Sequence, residues 1–408
     1  MASRLAVRVT KDAQRQIRGG HPWVYDSSIT SEPDGSVGDL AVIFDEHRKF
    51  VAIGLYDPTS PIRIKVLHHG KPRQIDDDFW RERLSTALER RSELPPHTTG
   101  YRWVHGENDG MPGFIADRFD DVVVVKLYSA AWFPYLDSIV RLIDELVAPR
   151  RVVLRLARNL QRDAGTDTSA TDEERADGDV LLGEPIDGPV TFLEHDLELE
   201  ADVIHGQKTG FFLDQRDNRA RVRAMSSGAR VLDVFSSSGG FSVNAAAGGA
   251  TSVHSVDISA GAIAAAQRNM TLNRNLAAVA ECVHDVTVGD AMETMQRMLD
   301  RGRTFDLVIV DPPSFASRQS QIEGALRAYG RLTELAVQLL PPGGMLVQAS
   351  CSARVTAEQF LETVTAAADG MGVRLDGISH TTHAIDHPVT FPQGAYLKAI
   401  FARVEPAG

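Results

Sequence analysis

The sequence predicts an α/β protein whose C-terminal half forms a mostly parallel sheet, preceded by an all-β N-terminal domain and a small central α/β domain. Residues 191–408 alternate short apolar strand patterns with helical patterns, as βαβ units do. Residues 1–75 hold short apolar runs divided by Gly, Pro and Asp, which is typical of an all-β domain. Residues 78–190 mix both patterns, so we expect a separate α/β domain there.

The N-terminal domain has four predicted strands and a local excess of basic residues. Lys and Arg outnumber Asp and Glu within residues 1–75, although the whole chain has a net charge of −12. A basic domain in an acidic chain favours a polyanionic partner, while chance asymmetry accounts for the same count about as well. The predicted strands cover residues 5–9, 40–44, 50–55 and 62–67.

The central region predicts two helices and two strands. A helix over 79–94 is ended by the proline pair that follows it, and a second helix covers 132–147. Strands are predicted at 122–125 and 151–156. The stretch 163–179 contains seven acidic residues and one Arg among small residues, so we predict a solvated loop without chemistry.

Composition excludes several classes of protein. The chain has no run of roughly 20 apolar residues and no signal-peptide pattern, so a soluble, cytoplasmic protein without membrane contact is expected. Its two cysteines, Cys282 and Cys351, are too few for a disulfide framework and do not resemble a zinc site, and we expect no metal. Cys282 is predicted to lie in the core of the third strand of the C-terminal sheet.

The C-terminal region predicts the sheet that carries the chemistry. In such sheets ligands bind at the carboxyl ends of the strands, near the point where the strand order reverses. The residues directly after each strand are therefore the candidates. Strands are predicted at 230–235, 252–256, 305–310 and 345–349, and helices at 241–247, 260–273 and 325–340.

Acidic residues and a small-residue turn lie at the ends of the first strands. Asp233 precedes the turn Ser-Ser-Ser-Gly-Gly at 236–240, and Asp257 ends the second strand. Small residues let the backbone approach a ligand, and a carboxylate at Asp257 can accept both hydroxyls of a ribose. Asp233 suits the ammonium of an amino-acid moiety, and Asp290, after a third strand, can accept from an adenine amine. The pattern favours S-adenosylmethionine (SAM) as the cofactor.

A nicotinamide dinucleotide is the alternative ligand. That site needs Gly-x-Gly-x-x-Gly for a pyrophosphate, which Asp233 would repel, and the chain has Ser-Ser-Ser-Gly-Gly-Phe instead. A doubly wound domain with incidental acids is the third interpretation. The residues expected to bind SAM are Asp233, Phe235, Ser236, Ser238, Gly239, Gly240, Asp257, Ile258, Asp290, Asp311 and Pro312.

A stiff turn, Asp311-Pro312-Pro313-Ser314-Phe315, follows the fourth strand. Two prolines fix the backbone and restrict the residue before them, so the turn can hold groups against a flat substrate. Asp-Pro-Pro-x-aromatic is typical of methyltransferases acting on amines in planar rings, with the aromatic side chain stacked on the ring. An ordinary exit from a strand is the alternative interpretation.

Cys351 follows the fifth strand, beside the Asp311 turn. A thiolate that adds to carbon 6 of cytosine makes carbon 5 nucleophilic enough to take a methyl group. This scheme needs a cysteine, an acid at N3 and a base for the carbon 5 proton. Cys351 and Asp311 fit the first two roles, and the alternative for Cys351 is a buried small residue.

Longer motifs run through nearly the whole chain. They are residues 21–25, 104–114 with 117–118, 206–219, 235–241, Asp257, 311–315, 350–352, 386–389 and 396–398. Together they resemble the bacterial 23S ribosomal RNA cytosine-5 methyltransferases that carry an N-terminal PUA domain, the large subunit methyltransferase I family.

The resemblance implies a PUA-like RNA-binding domain at 1–75, the central α/β domain at 78–190 and a Rossmann-like class I methyltransferase domain at 191–408. It implies Cys351 as the nucleophile. The implied partner is ribosomal RNA, 23S RNA first, with no membrane and with a homodimer as one candidate assembly. The acids implied to line the SAM and base pocket are Asp233, Asp257, Asp290 and Asp311.

The segment 207–219 is implied to cover the active site. Lys208, Arg216 and Arg219 would meet phosphates, and Gln215 with Pro313 and Phe315 would contact the substrate. The alternative is an interdomain clamp in which Asp214 and Arg216 pair internally.

Three departures from the family stand out. The family commonly has a Tyr-Thr-Gly-Gly type turn where this chain has Ser237-Ser238-Gly239-Gly240, and the acidic stretch 163–179 is an insertion. His284-Asp285 competes with Gly289-Asp290 for the acid after the third strand. Two rivals to a cytosine-5 enzyme remain open: a purine N-methyltransferase that needs no thiol, and a PUA-type RNA-binding factor without catalysis.

Overall fold

The computed structural model describes residues 3–31, 34–163 and 175–407. Most of the acidic loop predicted at 163–179 lies outside these residues. The chain divides into two compact units, and each is assembled from separate stretches of sequence. The first unit comprises Met1–Phe192, Ala201–Phe212 and Ile385–Gly394, and the second comprises Leu193–Glu200, Leu213–Ala384 and Ala395–Gly408.

A six-stranded sheet forms the N-terminal part of the first unit, in the order β2-β6-β5-β4-β1-β3. Each of the four predicted strands is present. The short helix α1 was not predicted, because only two of its eight residues are apolar; Thr10 caps it by accepting from Ala13 N. The elements are β1 Arg4–Val9, α1 Lys11–Arg18, β2 Trp23–Tyr25, β3 Ile29–Ser31, β4 Leu40–Phe44, β5 Phe50–Tyr56 and β6 Ile62–His69.

A five-stranded sheet, in the order β11-β10-β9-β8-β7, completes the first unit. Helices α2 and α3 pack on it around the buried rings of Trp80, Trp103 and Trp132. The elements are α2 Asp77–Glu89, β7 Gly100–His105, β8 Phe114–Phe119, β9 Val122–Leu127, α3 Phe133–Val147, β10 Arg151–Leu156, α4 Arg158–Asp163 and β11 Val180–Leu182.

Two segments of the predicted C-terminal domain, 201–212 and 385–394, belong to the first unit. Buried hydrogen bonds show how the second segment is held. Asp386 Oδ2 accepts from Arg102 N at 2.9 Å, and Arg91 donates to the Asp386 carbonyl at 2.8 Å. The motif around Asp386 therefore stabilises the first unit. The hairpin of β12 Val190–Glu194 and β13 Leu197–Ala201 spans a boundary between the units.

The second unit is built on a seven-stranded sheet in the order β16-β15-β14-β17-β18-β20-β19. Strands β14 to β18 are parallel, and β20 runs antiparallel to both of its neighbours. The predicted strands and helices are present; the final antiparallel pair was not predicted. The elements are α5 Arg216–Met225, β14 Arg230–Val234, α6 Gly240–Ala247, β15 Ser252–Asp257, α7 Ala260–Leu272, α8 Ala277–Glu281, β16 Val283–Val288, α9 Ala291–Asp300, β17 Leu307–Val310, α10 Ile322–Gln338, β18 Met345–Ser350, α11 Ala357–Gly370, β19 Val373–Thr381 and β20 Lys398–Pro406.

The strand order reverses at β14, which lies between β15 and β17. The apolar side chains of these strands, among them Val234, Val308 and Leu346, form the core beneath the sheet. Because β15, β14, β17 and β18 are parallel neighbours, their carboxyl ends meet at one edge of the sheet. This edge positions the candidate site.

The described parts of the chain lack membrane-spanning helices and metal-binding clusters. None of the helices there has the length and apolar character to cross a membrane. Nor do those residues contain a cluster of three or more His, Cys, Asp or Glu side chains arranged to hold a metal ion.

Candidate active site

Asp233 is a fully buried carboxyl near the carboxyl end of β14. Its Oδ2 accepts from Ser242 Oγ at 2.6 Å, and Ser242 Oγ lies 2.7 Å from Ser255 Oγ. Its Oδ1 has no hydrogen-bond partner among the described residues. Burial raises the pKa of Asp233 to about 7. A donor or cation from a ligand would satisfy the remaining oxygen and favour the ionised form.

The turn after β14 has an unusual backbone. Phe235 and Ser237 have positive φ angles of 63° and 49°, a conformation that non-glycine residues adopt only at a cost. Gly239 has φ of 77°, and a Cβ there would lie 2.7 Å from the Ala266 Cβ of α7. Glycine is thus required by helix packing as well as by the turn. Ser236 Oγ is a second buried polar atom that lacks a hydrogen-bond partner in the described chain.

Asp257, at the end of β15, is fixed by that turn. Its Oδ2 accepts from Ser237 N and its Oδ1 from Ser259 N, both at 2.9 Å. Each carboxylate oxygen keeps a lone pair for a ribose hydroxyl. Ile258 follows directly and is 75% exposed, so it offers an apolar surface beside the carboxylate that the rim of a flat ligand could cover.

The acid after the third strand is better matched by Asp290 than by Asp285. Asp290 lies just beyond the end of β16 and caps α9, accepting from Glu293 N at 3.0 Å. Asp285 lies inside β16, in register with His254. Cys282, predicted in the core of this strand, precedes it and is half-buried. That prediction was wrong because α8 ends directly before Cys282, so the strand starts one residue later.

Asp311 follows β17 and is half-buried. Gln215 Nε2 donates to Asp311 Oδ1 at 2.9 Å. Burial, together with the neighbouring carboxylate of Asp214, raises the pKa of Asp311 to about 7. At neutral pH this carboxyl is therefore present in both protonation states, as a proton donor and acceptor must be.

The residues after Asp311 form a partly exposed platform. Pro312 is buried and Pro313 is exposed. The half-buried Phe315 ring packs on Tyr329, with ring centroids 5.1 Å apart. This contact helps to fix the orientation of the Phe315 ring.

Cys351 lies next to the turn that follows Asp311. Its Sγ lies 3.7 Å from the Pro312 carbonyl oxygen and its side chain is half-buried. Ser352 Oγ is buried and accepts from Phe315 N at 3.1 Å, and it lies 2.8 Å from the Tyr329 hydroxyl. The turn that carries the thiol and the turn that carries the acid are therefore joined by hydrogen bonds.

Sequence reasoning did not find Ser352, Tyr329 or Lys398 as parts of this site. Lys398, the first residue of β20, is buried and donates to two carbonyls in the segment after Cys351 and to the Tyr396 carbonyl. The only available signal was the Tyr-Leu-Lys motif at 396–398, which carried no chemical assignment.

The segment 207–219 is divided between the two units. In the first unit, Lys208 is exposed and its Nζ lies 4.6 Å from the centre of the Phe212 ring. In the second unit, Arg219 is 3% exposed and pairs with the buried Glu194 through two hydrogen bonds of 2.7 and 2.6 Å. Arg216 is fully buried. Both guanidinium groups are therefore buried, whereas a phosphate contact needs an exposed one.

Family models match both parts of the chain. A model described as S-adenosylmethionine-dependent methyltransferase matches residues 101–401, and a model described as PUA-like domain matches residues 7–69.

Curated relatives span nearly the full length. A protein from Deinococcus radiodurans named ribosomal RNA large subunit methyltransferase is 48% identical over 99% of this chain and 98% of its own. One from Escherichia coli O127:H6 named ribosomal RNA large subunit methyltransferase I is 34% identical, over 97% of this chain and 98% of its own.

Solved structures share the fold. A SAM-dependent methyltransferase from Streptococcus mutans superposes with a TM-score of 0.80 at 18% identity, covering 98% of this chain and all of its own. A methyltransferase complexed with SAH has the same TM-score at 20% identity, with the same coverage.

Proposed function

The chain belongs to the SAM-dependent methyltransferase family and carries a PUA-like domain, and from this premise we propose that it methylates carbon 5 of a cytosine in large-subunit ribosomal RNA through a covalent adduct of Cys351. SAM is its cofactor. The RNA substrate is supported by the names of its nearly full-length relatives and by the PUA-like domain. The carbon 5 chemistry is supported by the geometry of Cys351 and Asp311.

The residues at the ends of β14 and β15 fit SAM. Asp233 Oδ1 and Ser236 Oγ are buried polar atoms without hydrogen-bond partners in the described chain, as expected of a site that receives a polar ligand. Asp257 would hold the ribose and Ile258 and Asp290 the adenine. When bound, SAM supplies an electrophilic methyl group. The further proposed contacts are Phe235, Ser238, Gly239, Gly240, Asp311 and Pro312.

Cys351 and Asp311 divide the chemistry on the base. The Cys351 thiolate adds to carbon 6 of cytosine, forming the S–C6 bond, while Asp311 gives a proton to N3. Carbon 5 is then the nucleophile that accepts the methyl group. A base then takes the carbon 5 proton, and the electrons of that C–H bond form the C5–C6 double bond. The S–C6 bond breaks with its electrons leaving on the thiolate, and the N3 proton returns to Asp311.

One observation carries this proposal: the Cys351 Sγ lies 3.7 Å from the carbonyl oxygen of Pro312, the residue after Asp311. The thiol and the acid are therefore carried on adjoining turns. The pKa of Asp311, raised to about 7 by burial and by Asp214, suits a group that must give and regain a proton at neutral pH. Methylation of a purine nitrogen would need no thiol.

The proposed contacts with RNA differ in kind. Pro313, Phe315 and Gln215 are placed around Asp311, where the flipped base would lie. Lys208 is exposed and suits a phosphate. Arg219 is paired with Glu194 and Arg216 is fully buried, so we assign neither of them a phosphate contact.

The test is methyl transfer to purified 23S ribosomal RNA, followed by mass spectrometry of the nucleosides. The wild-type protein and Cys282→Ser, the matched control at the other cysteine, should form 5-methylcytidine. Cys351→Ser should bind SAM and form none. A methylated purine as the product, or full activity of Cys351→Ser, would overturn the proposal. Absence of transfer by the wild-type protein to any RNA would favour a binding factor without catalysis.

A further inference from the structure

Lys398 is a buried cation at the edge of the site, and it is 8% exposed. Its Nζ donates to the carbonyl oxygens of Ser352 at 2.7 Å, Val355 at 2.6 Å and Tyr396 at 3.2 Å. Three acceptors match the three hydrogens of an ammonium group, so the geometry selects the charged form. Two of the acceptors, Ser352 and Val355, lie in the segment directly after Cys351. The Lys398 side chain therefore holds this segment in place.

No carboxylate among the described residues forms an ion pair with Lys398. Burying a charge without a counter-charge is costly, because carbonyl dipoles replace only part of the hydration. Burial accordingly lowers the pKa of Lys398 to about 8, and the one group that opposes this shift is Cys351. The ammonium still carries its charge at pH 7.

Strand register brings the two residues together. Lys398 on β20 is directly opposite Ser350 on β18, and Cys351 is the next residue. An ammonium near a thiol favours the thiolate, the form that acts as a nucleophile. We propose that Lys398 is a positioning residue that supplies the counter-charge for the Cys351 thiolate and fixes the turn that carries it. The inference rests on the proposed function only in taking Cys351 as the nucleophile.

Other groups around Cys351 also influence the balance between its thiol and its thiolate. The Pro312 carbonyl accepts from the thiol at 3.7 Å, which favours the neutral form. Asp311, once ionised, disfavours the thiolate by like charge, and so does Tyr329 on α10 if it ionises; burial keeps Tyr329 neutral by raising its pKa. Lys398, by contrast, is a positive group whose charge interacts favourably with that of the Cys351 thiolate.

The test measures the rate at which iodoacetamide alkylates Cys351 as a function of pH, in the absence of RNA and SAM. Peptide mass spectrometry distinguishes alkylation of Cys351 from alkylation of Cys282. Cys282 is the internal reference, because burial raises its pKa to about 11. In the wild-type protein Cys351 should react much faster than Cys282 at pH 7. The variant Lys398→Gln keeps hydrogen-bond donors but loses the charge. In this variant the pH midpoint of Cys351 alkylation should therefore move up, and the alkylation rate at pH 7 should fall about tenfold.

The plateau rate of Cys351 alkylation at high pH distinguishes loss of the Lys398 charge from a change in the structure of the turn. Loss of the counter-charge moves the midpoint and leaves the plateau, whereas a displaced turn changes the plateau. Lys398→Arg, which keeps the charge, should retain the wild-type midpoint. Lys65→Gln is the matched control: Lys65 is also buried, but it pairs with Asp57 in the first unit at 3.2 Å, so Cys351 should react as in the wild type.

Three results would overturn the inference. The first is an unchanged midpoint in Lys398→Gln, and the second is the same midpoint shift in Lys398→Arg as in Lys398→Gln. The third is a wild-type Cys351 that reacts no faster than Cys282. Because alkylation needs no substrate, these outcomes are independent of whether the methylated nucleoside is 5-methylcytidine.

Discussion

Gln215 donates its side-chain amide to Asp311 Oδ1 at 2.9 Å, which links the segment before α5 to the turn after β17. Gln215 is itself held, because Asn218 Nδ2 donates to its Oε1 at 2.6 Å. A hydrogen bond donated to a carboxyl favours its ionised form and opposes the effect of burial. The amide of Gln215 therefore adjusts the proton affinity of Asp311.

The first prediction concerns the pH dependence of methyl transfer. Asp311 must carry a proton to give it to N3, and its pKa is about 7, so single-turnover rates should fall as the pH rises through this range. Gln215→Leu removes the donor, raises the pKa further and should move this descending limb to higher pH. The exposed Gln338→Leu on α10 should leave it in place. A limb that does not move, or that moves down, would argue against Asp311 as the proton donor.

The second prediction concerns stability. The folded-state pKa of Asp233, about 7, lies above its ordinary value of 3.8. Stability is lost as the pH rises between these values, because the unfolded carboxyl ionises first. Asp233→Asn cannot ionise, so its stability advantage over the wild type should grow from pH 5 to pH 8, by about 2 kcal/mol.

Denaturant unfolding of both proteins at the two pH values, without SAM, measures this difference. Binding of SAM to Asp233→Asn should be weaker, because the carboxylate that would meet the ammonium is gone. An advantage that shrinks with rising pH would contradict the burial of an ionisable Asp233.

The third prediction concerns the exposed apolar side chain at the end of β15. Ile258→Ala should leave stability within about 0.5 kcal/mol, since the side chain packs on little protein, yet weaken SAM binding several-fold by removing apolar contact with the adenine. Calorimetric titration with SAM measures the effect. The control variant is Val283→Ala. Val283 is an exposed apolar residue at the start of β16, away from the carboxyl ends of the strands, so this variant should bind SAM as the wild type does. Equal affinities for all three proteins would remove Ile258 from the site.

The fourth prediction separates exposed from buried cations in RNA binding. Lys208→Ala should reduce affinity for ribosomal RNA and lower the slope of log affinity against log salt by about one, as loss of one phosphate contact does. The stability of the protein should not change. The control variant Arg301→Ala, at an exposed position after α9, should alter neither the affinity for RNA nor the salt slope. A salt slope unchanged in Lys208→Ala would exclude the phosphate contact.

Local patterns predicted most of the second unit, because buried parallel strands are continuous apolar runs and their helices are amphipathic. The acids at strand ends were found for the same reason, since the end of an apolar run marks the edge of the sheet. Burial of Arg219 was not predictable: its partner Glu194 is 25 residues away. The three carbonyl acceptors of Lys398 are likewise backbone atoms that no residue type reveals.

Assembly of the units from separate segments was also beyond sequence reasoning. Asp386 meets Arg102 across 284 positions, a pairing that no local periodicity encodes. The sequence offered two acids for one proposed role. Asp290 follows the end of β16 and Asp285 lies inside that strand, so Asp290 stays the proposed residue.

The covalent role of Cys351 is tested most directly by trapping. Ribosomal RNA that contains 5-fluorocytidine has no proton at carbon 5 to lose, so the S–C6 bond cannot be broken after methyl transfer. Peptide mass spectrometry should find the methylated fluorocytidine on the Cys351 peptide of the wild-type protein and of Cys282→Ser, and on no peptide of Cys351→Ser. Methyl transfer to normal RNA with no adduct on Cys351, or an adduct at another residue, would contradict the mechanism.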